Sequence, residues 1–365
     1  MDKPIRVAQI IGITKNGGVG SVIMNYYEHI DRSKVQFDFF VESEDDLIYK
    51  EKVEALGGKI IIIPSYKNLR LYIKTLIKLF KEGDYDIVHS NMNTLSVFSL
   101  YAAKKAEIKV RIAHSHSTSN PKEWKKNILK NLLRPWSKKF ATHYFACSEL
   151  AGRYLFGNKT FNEGKVLVVN NGVDYKKFEY NATYRKQIRD KYGIDDKTYL
   201  IGTVGRFVEQ KNHLFLLKTF RKYYDSDCNT KLMLVGDGPL LNKYKNFILN
   251  NKLDDCVIIA GTQKNVELYY SAFDLFVLPS LYEGLPVVGV EAQVNGVPCI
   301  FSSNVTDEVK INNNVLFLHI EEQQYLKAYK DNKNRLCELN YKFDIKCCAN
   351  HLLIEYIRIL DKQRN

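Results

Sequence analysis

The sequence predicts an α/β protein carrying two doubly wound parallel sheets, one in each half of its 365 residues. Three observations predict this. Short apolar runs alternate with amphipathic segments, the pattern of strands joined by crossover helices. The pattern breaks over a polar, helix-leaning stretch at 175–197 and restarts at Tyr199. Glycines, carboxylates and cations gather just after the apolar runs, at the carboxyl ends of the strands, where open α/β sheets bind ligands.

Composition sets outer limits. The length admits two domains of ordinary size. Hydrophobic residues make up 45% and charged residues 26%, as in soluble globular proteins. No apolar run approaches the roughly 18–20 residues that span a bilayer. Met1-Asp2-Lys3-Pro4 leads straight into a strand without a signal-peptide pattern, so a cytoplasmic protein is expected. The seven cysteines lack metal-ligand spacing, and Cys347 and Cys348 are adjacent. Such a set predicts reduced thiols. The formal net charge of +13 admits nucleic acid, an anionic membrane surface or phosphorylated substrates as partners. Aromatic RNA-stacking motifs are missing, so nucleic acid is not expected.

The first half opens with a strand at Ile5–Ile11, a loop from Gly12 to Gly20, and a helix from Ser21 to Ile30 with Val22, Tyr26 and Ile30 on one stripe. Gly17 and Gly18 in that loop let backbone approach a phosphate. Glu42, ending the strand Val35–Val41, stands roughly where a dinucleotide's ribose-binding acid would, but the glycine spacing is not G-x-G-x-x-G. Further strands are expected at Lys59–Ile63, Ile87–Ser90, Val110–His114, Tyr144–Cys147 and Val166–Val169. His89, His114 and His116 fall at or just past strand ends, and their number at one sheet edge makes them candidates for a poised site.

Residues 121–140 have a different character. Trp124, Ile128, Leu132 and Trp136 recur every fourth position, interleaved with Lys125, Lys126, Lys130, Arg134, Lys138 and Lys139. A basic amphipathic helix with tryptophan on its apolar side suits a lipid–water interface. An ordinary surface helix, packing its tryptophans on the core and facing its lysines to water, reads the same way.

In the second half, Tyr199–Val204 is a strand followed by Gly205-Arg206 and Lys211. A planar guanidinium and a point-charge ammonium five residues apart in a strand-to-helix loop can converge on one diphosphate. Leu232–Val235 precedes the glycine-rich turn Gly236-Asp237-Gly238-Pro239, and Val257–Gly261 precedes the loop Thr262–Val266. Phe273–Leu278 is a buried strand, residues 280–285 a loop, Pro286 the expected first helical residue, and Val297–Phe301 the next strand. Glu283 has S-x-x-E spacing from Ser280, which also fits a capping box, although Pro286 disfavours helix at the preceding residue. Glu291 lies among Val287, Val288, Val290, Ala292 and Val294, so its carboxylate needs a partner.

Glu283 and Glu291 in Glu-x7-Glu spacing, with Gly284 and Pro286, resemble the signature of retaining glycosyltransferases of the GT-B fold, family 4. The resemblance implies two Rossmann-like domains facing across a cleft: 1–171 on the acceptor side and 172–343 on the donor side, with 344–365 a helix crossing back to the first. The turn Asn171-Gly172-Val173-Asp174 is similar to the family's domain junction. By the same resemblance, Glu283 is catalytic at the donor sugar's hydroxyls and Glu291 holds the ribose. Gly284 and Leu285 line the donor, Arg206 and Lys211 neutralise its diphosphate, and the Gly17-Gly18 loop closes over it. The loop with Asn265 and Val266 holds the base. His116 stands near C1 and O6 of the sugar, with His114 the further candidate.

The co-substrate implied is a nucleotide sugar, with UDP favoured. The implied acceptor is a lipid-linked glycan in cell-surface polysaccharide assembly, met at the inner face of the plasma membrane through Trp124, Lys125, Lys126, Lys130 and Arg134. No metal or other cofactor is expected: Asp84-Tyr85-Asp86 and Asp225-Ser226-Asp227 precede strands, at the wrong sheet edge for a ligand. Retention without a secure nucleophile leads to a same-face attack by the acceptor. A GT-B-like phosphorylase or epimerase and a non-catalytic basic binding module are the competing readings. After Phe301 the chain departs from the family, with Ser302–Glu308 replacing its glycine- and glutamate-rich loop.

Overall fold

The computed structural model describes residues 3–12, 18–43, 49–116, 124–224, 229–320, 326, 334–338 and 340–364. The chain divides into two compact units, 1–172 with 341–365, and 173–340. Both units are Rossmann-like, with every strand pairing parallel.

The first unit carries β1 (Ile5–Gly12), β2 (Val35–Val41), β3 (Lys59–Ile62), β4 (Ile87–Ser90), β5 (Val110–Ser115), β6 (His143–Ala146) and β7 (Val166–Val168). Their spatial order is β3-β2-β1-β4-β5-β6-β7. The chain winds outward from β1 to β3, then jumps back to β4 and winds the other way. That reversal leaves a crevice at the carboxyl ends of β1 and β4. Residues of the central strands, such as Val7, Val88 and Ile112, are fully buried, because helices cover both faces of a parallel sheet. The helix Trp124–Phe140 runs through Pro135.

The helix Ile345–Arg364 belongs to this first unit and packs on the helix Gly18–His29. Tyr356 of that helix is fully buried. Close approach fixes Gly172 beside it: a Cβ there would lie 2.8 Å from Ile345 Cα.

The second unit carries β8 (Tyr199–Val204), β9 (Thr230–Val235), β10 (Val257–Gly261), β11 (Leu275–Leu278), β12 (Cys299–Ser302) and β13 (Val315–Leu318) in the order β10-β9-β8-β11-β12-β13. Here the reversal falls between β8 and β11. Its core gathers Ile201, Leu216, Phe220, Leu232, Val277 and Ile300. β13 is not expected from the sequence, since Asn312, Asn313 and Asn314 mask a four-residue strand. Two of those asparagines are structural: Asn312 Nδ2 donates to the Gln293 carbonyl at 2.6 Å and Asn314 Nδ2 to that of Gly296 at 2.9 Å. A second polar clamp joins the polar stretch 175–197 to the sheet. Arg189, 2% exposed, donates to Asp274 at 3.2 Å and to the Thr198 carbonyl at 2.6 Å.

Gly172→Ala is expected to lower stability by roughly 1–3 kcal/mol, because backbone has to shift to admit the methyl. Urea denaturation reads this out, and an unchanged midpoint would contradict the docking described for Ile345.

Candidate functional site

The second unit builds its site from the loops after β8 and β11, the strands flanking the reversal. After β8 come Gly205, the exposed Arg206, and a single 3-10 turn over Glu209–Lys211. After β11 come residues 279–286 and the helix Val287–Val294. Pro286 is the N-cap, with extended ψ of 109°, and not the first helical residue; its carbonyl accepts from Gly289 N at 3.0 Å.

The two loops are stitched together. Leu281 N donates to the Gln210 carbonyl at 2.8 Å, and Gln210 Nε2 to the Tyr282 carbonyl at 2.9 Å. Lys211 Nζ pairs with Glu283 Oε1 at 2.6 Å, and Ser280 Oγ donates to the same oxygen at 2.8 Å. Ser280 and Glu283 therefore do meet, but side chain to side chain inside a loop, and they cap no helix. Glu283 is 8% exposed, so its carboxylate depends on these donors. Gly284 and Leu285 are buried beside it in the same loop.

The turn Gly236–Pro239 shapes the Arg206 loop from the other side. Gly236 has φ +139°, and a Cβ there would lie 2.1 Å from the Gly205 carbonyl oxygen. Phe207 N donates to the Asp237 carbonyl at 2.8 Å. Only glycine allows this backbone-on-backbone contact.

Glu291 is half-buried on the helix that follows the Glu283 loop. Tyr270 Oη donates to its Oε2 at 2.7 Å, the partner that its apolar neighbours demand. Burial lifts the Glu291 carboxyl to about 7, against the opposing pull of the Tyr270 hydrogen bond and of Lys177 and Lys211. Asn265 is exposed and Val266 half-buried at the N-cap of the helix Glu267–Ala272, in the loop after β10. Sequence reasoning missed Gln210, Ser280 as an anchor, and Tyr270. Only the S-x-x-E spacing carried any signal for them.

The first unit has its own constellation at the β1/β4 reversal. His89, His114 and His116 stack in series, with ring centroids 5.0 and 4.0 Å apart. His89 Nε2 and His114 Nδ1 are 2.9 Å apart, and His116 Nε2 lies 2.9 Å from Asn91 Oδ1. Burial depresses all three: His89 and His116 to about 3 and His114 well below its ordinary value. The stack is neutral across the physiological range. Next to it, a cavity of about 250 Å³ is lined by Gly12, Gly18, Glu42, Tyr66, Asn91 and Asn93, among others.

Gly17 lies outside the described residues. So do the side chains of Trp124, Lys125, Lys126 and Lys130, although their backbone is helical. Arg134 turns back onto the unit, its guanidinium 5.8 Å from the Tyr154 ring, and Lys138 donates to the Phe156 carbonyl at 3.1 Å. Trp136 is 46% exposed and Leu132 66% exposed, so this part of the stripe does not pack on the core. Among the described residues, no group of three or more His, Cys, Asp or Glu is placed to hold a metal ion, and no helix is long and apolar enough to cross a membrane.

Two Rossmann-like units, with a lysine–carboxylate pair at the reversal of the second, match the construction of a GT-B glycosyltransferase. Residues 16–177 match the family described as Glycosyltransferase Family 4, and residues 184–334 match Glycosyl transferases group 1. EpsF of Bacillus subtilis (strain 168) is 36% identical over 309 residues, 83% of this chain and 80% of the relative. The UDP-Gal:alpha-D-GlcNAc-diphosphoundecaprenol alpha-1,3-galactosyltransferase of Escherichia coli is 25% identical over 312 residues, 82% of this chain and 79% of the relative. Anabaena HepE in complex with UDP-glucose shares the fold, with a TM-score of 0.76 at 17% identity, covering 98% of both chains. The chain belongs to glycosyltransferase family 4 of the group 1 glycosyl transferases.

The shifted groups give two predictions. Glu291 rises from 4.5 to about 7 on folding, so its contribution is full below 4.5 and is lost as pH climbs through 7. Between pH 5 and 8 the wild type should therefore lose on the order of 2 kcal/mol relative to Glu291→Gln in denaturant titrations of the ligand-free protein. The histidines run the other way. Their folded values lie below 6.5, so their contribution is present above 6.5 and lost as pH falls. Unfolding free energy should drop by up to roughly 1.4 kcal/mol per pH unit per histidine below about pH 6, and His114→Gln should show the shallower slope.

Proposed function

We propose that this glycosyltransferase moves a hexose from a UDP-sugar to a lipid-linked glycan acceptor in cell-surface polysaccharide assembly, with retention at C1. The observation that carries the reading is the pairing of Lys211 with Glu283 at the reversal of the second sheet. Lys211 and the exposed Arg206 supply cationic charge on one loop for a leaving diphosphate. They do so without calling on a divalent ion. Glu283, anchored on three sides, holds a carboxylate still for the hydroxyls of the donor hexose. Glu291 accepts from the ribose, and backbone around Asn265 and Val266 holds the base. Gly284 and Leu285 border the donor, while the Gly17-Gly18 loop is assigned to its diphosphate. His116, with His114 beside it, is assigned to the hexose as it transfers, and the acceptor attacks from the face that the leaving group vacates.

The Escherichia coli relative's own name joins a UDP-sugar to a diphosphoundecaprenol-linked acceptor, which supports both halves of the reading. The exposed Leu132 and Trp136, with Lys139 Nζ 4.2 Å from the Trp136 ring centroid, support a face that meets an anionic lipid surface together with Trp124, Lys125, Lys126 and Lys130. Arg134, turned toward Tyr154, contributes less to that face.

Turnover of a UDP-, GDP- and ADP-sugar panel, read as nucleotide release, tests the donor. Glu283→Gln should lower kcat by roughly a hundredfold. Arg206→Ala should raise the donor KM by about tenfold, the cost of one charge-assisted contact. The anomeric configuration of the product by NMR decides retention. An inverted product, or full activity in both variants, would overturn the assignment.

A further inference from the structure

The proton positions in the histidine stack follow from one backbone carbonyl. Asn91 Nδ2 faces the His89 carbonyl at 3.4 Å, which can only accept, so the amide nitrogen points there and Oδ1 points to His116. An oxygen acceptor 2.9 Å from His116 Nε2 requires that nitrogen to carry the proton. His116 is held neutral by burial, so its Nδ1 keeps the lone pair. The same Asn91 Nδ2 donates to Gln9 Oε1 at 2.9 Å, which turns Gln9 Nε2 toward Tyr356 Oη at 3.2 Å. Tyr356 is fully buried. Having accepted from Gln9, its hydroxyl proton has His89 Nδ1, 2.6 Å away, as its acceptor among the described residues. His89 is then protonated at Nε2 and donates to His114 Nδ1. The reverse order would leave the Tyr356 hydroxyl proton buried without an acceptor, at a cost of about 1–3 kcal/mol.

Tyr356 thus closes a circuit with two arms. One runs through Gln9 and Asn91 to the edge of His116. The other runs through His89 and His114, on whose ring His116 stacks at 4.0 Å. His114 Nε2, the proton-bearing end of the second arm, is buried with no hydrogen-bond partner among the described residues. Such an orphan is tolerated where a site has to be held ready.

We propose that Tyr356, on the helix Ile345–Arg364, is a positioning residue: by accepting from Gln9 it keeps Gln9 Oε1 on Asn91 Nδ2, the shorter of that amide's two bonds, and with the His89 carbonyl holds His116 as the Nε2–H tautomer, so that His116 offers its Nδ1 lone pair to a sugar hydroxyl. His116 then acts as a hydrogen-bond acceptor without becoming charged, and a protonated cation bearing donors on both nitrogens is excluded from the role. This rests on the assignment of His116 to the transferred hexose. Tyr356 touches no substrate; it acts through the network. The sequence shows nothing of it, because 267 residues separate Tyr356 from His89.

The test uses the full chain with histidine ring nitrogens isotopically labelled, and long-range nitrogen–proton correlation spectra. Peaks are assigned by single substitution of each stacked histidine. In the wild type, His89, His114 and His116 should all appear as Nε2–H tautomers. Tyr356→Phe keeps the ring and removes the hydroxyl, and Gln9→Met breaks the arm nearer Asn91. In both, His116 should give averaged shifts of mixed tautomers. Turnover of the UDP-sugar that the wild type uses should fall about tenfold in kcat, with the donor KM within about twofold. A wild-type His116 protonated at Nδ1, unchanged His116 shifts in both variants, or mixed tautomers with wild-type kcat would each overturn the proposal. If the wild type releases nucleotide from no sugar donor, the proposed activity fails, and the tautomer spectra alone still decide the role of Tyr356.

Discussion

A carboxylate that is nearly shut off from water has to be met by a cation, and in this protein the cation comes from a different loop. Glu283 and Lys211 stand 72 residues apart in the chain and 2.6 Å apart in space. Their contact ties the loop after β11 to the loop after β8. Removing one member of such a pair strands the other, at roughly 3–5 kcal/mol, so neither loop relaxes on its own. Gln210 and Ser280 add neutral hydrogen bonds to the same carboxylate, and Gly236 lets the loop after β9 press against Gly205. The crevice at the reversal is therefore assembled before any ligand arrives. That is the condition under which fixed charges lower a barrier without reorganising.

Both sheets place their polar residues at the same topological point, but with opposite electrostatics. The second unit uses formal charges: Lys211 against Glu283, with Arg206 exposed nearby. The first uses three uncharged imidazoles in a stack, kept neutral by burial and joined by hydrogen bonds to Asn91, Gln9 and Tyr356. The proposed assignments follow this split, with charge for a departing diphosphate and a neutral ring for the hydroxyls of a hexose.

Much of this was legible in the sequence where the signal was local. Strand–loop–helix spacing located Glu283, Glu291, Arg206 and Lys211, and the apolar runs located twelve of the strands to within a residue or two. What escaped was non-local or masked by polarity. β13 hides behind three asparagines, two of which, Asn312 and Asn314, spend their amides on backbone carbonyls. Pro286 reads as helical because its missing N–H fits there, yet its ψ places it outside. Tyr270 gives no sequence cue that it will meet Glu291, 21 positions on. Nor does Gly236 announce that a carbonyl oxygen, not a phosphate, is what forbids it a side chain.

The route of the chain carries a consequence for biosynthesis. The first unit takes the helix Ile345–Arg364 into its own packing, while the second is one uninterrupted segment. On the ribosome, Gln9 and His89 emerge early but wait for Tyr356 until every residue of the second unit has been translated. At about 5–20 residues per second that interval is on the order of ten seconds or more. The half that begins first is completed last, and during that wait the face of the helix Gly18–His29 that the returning helix covers has no partner from it.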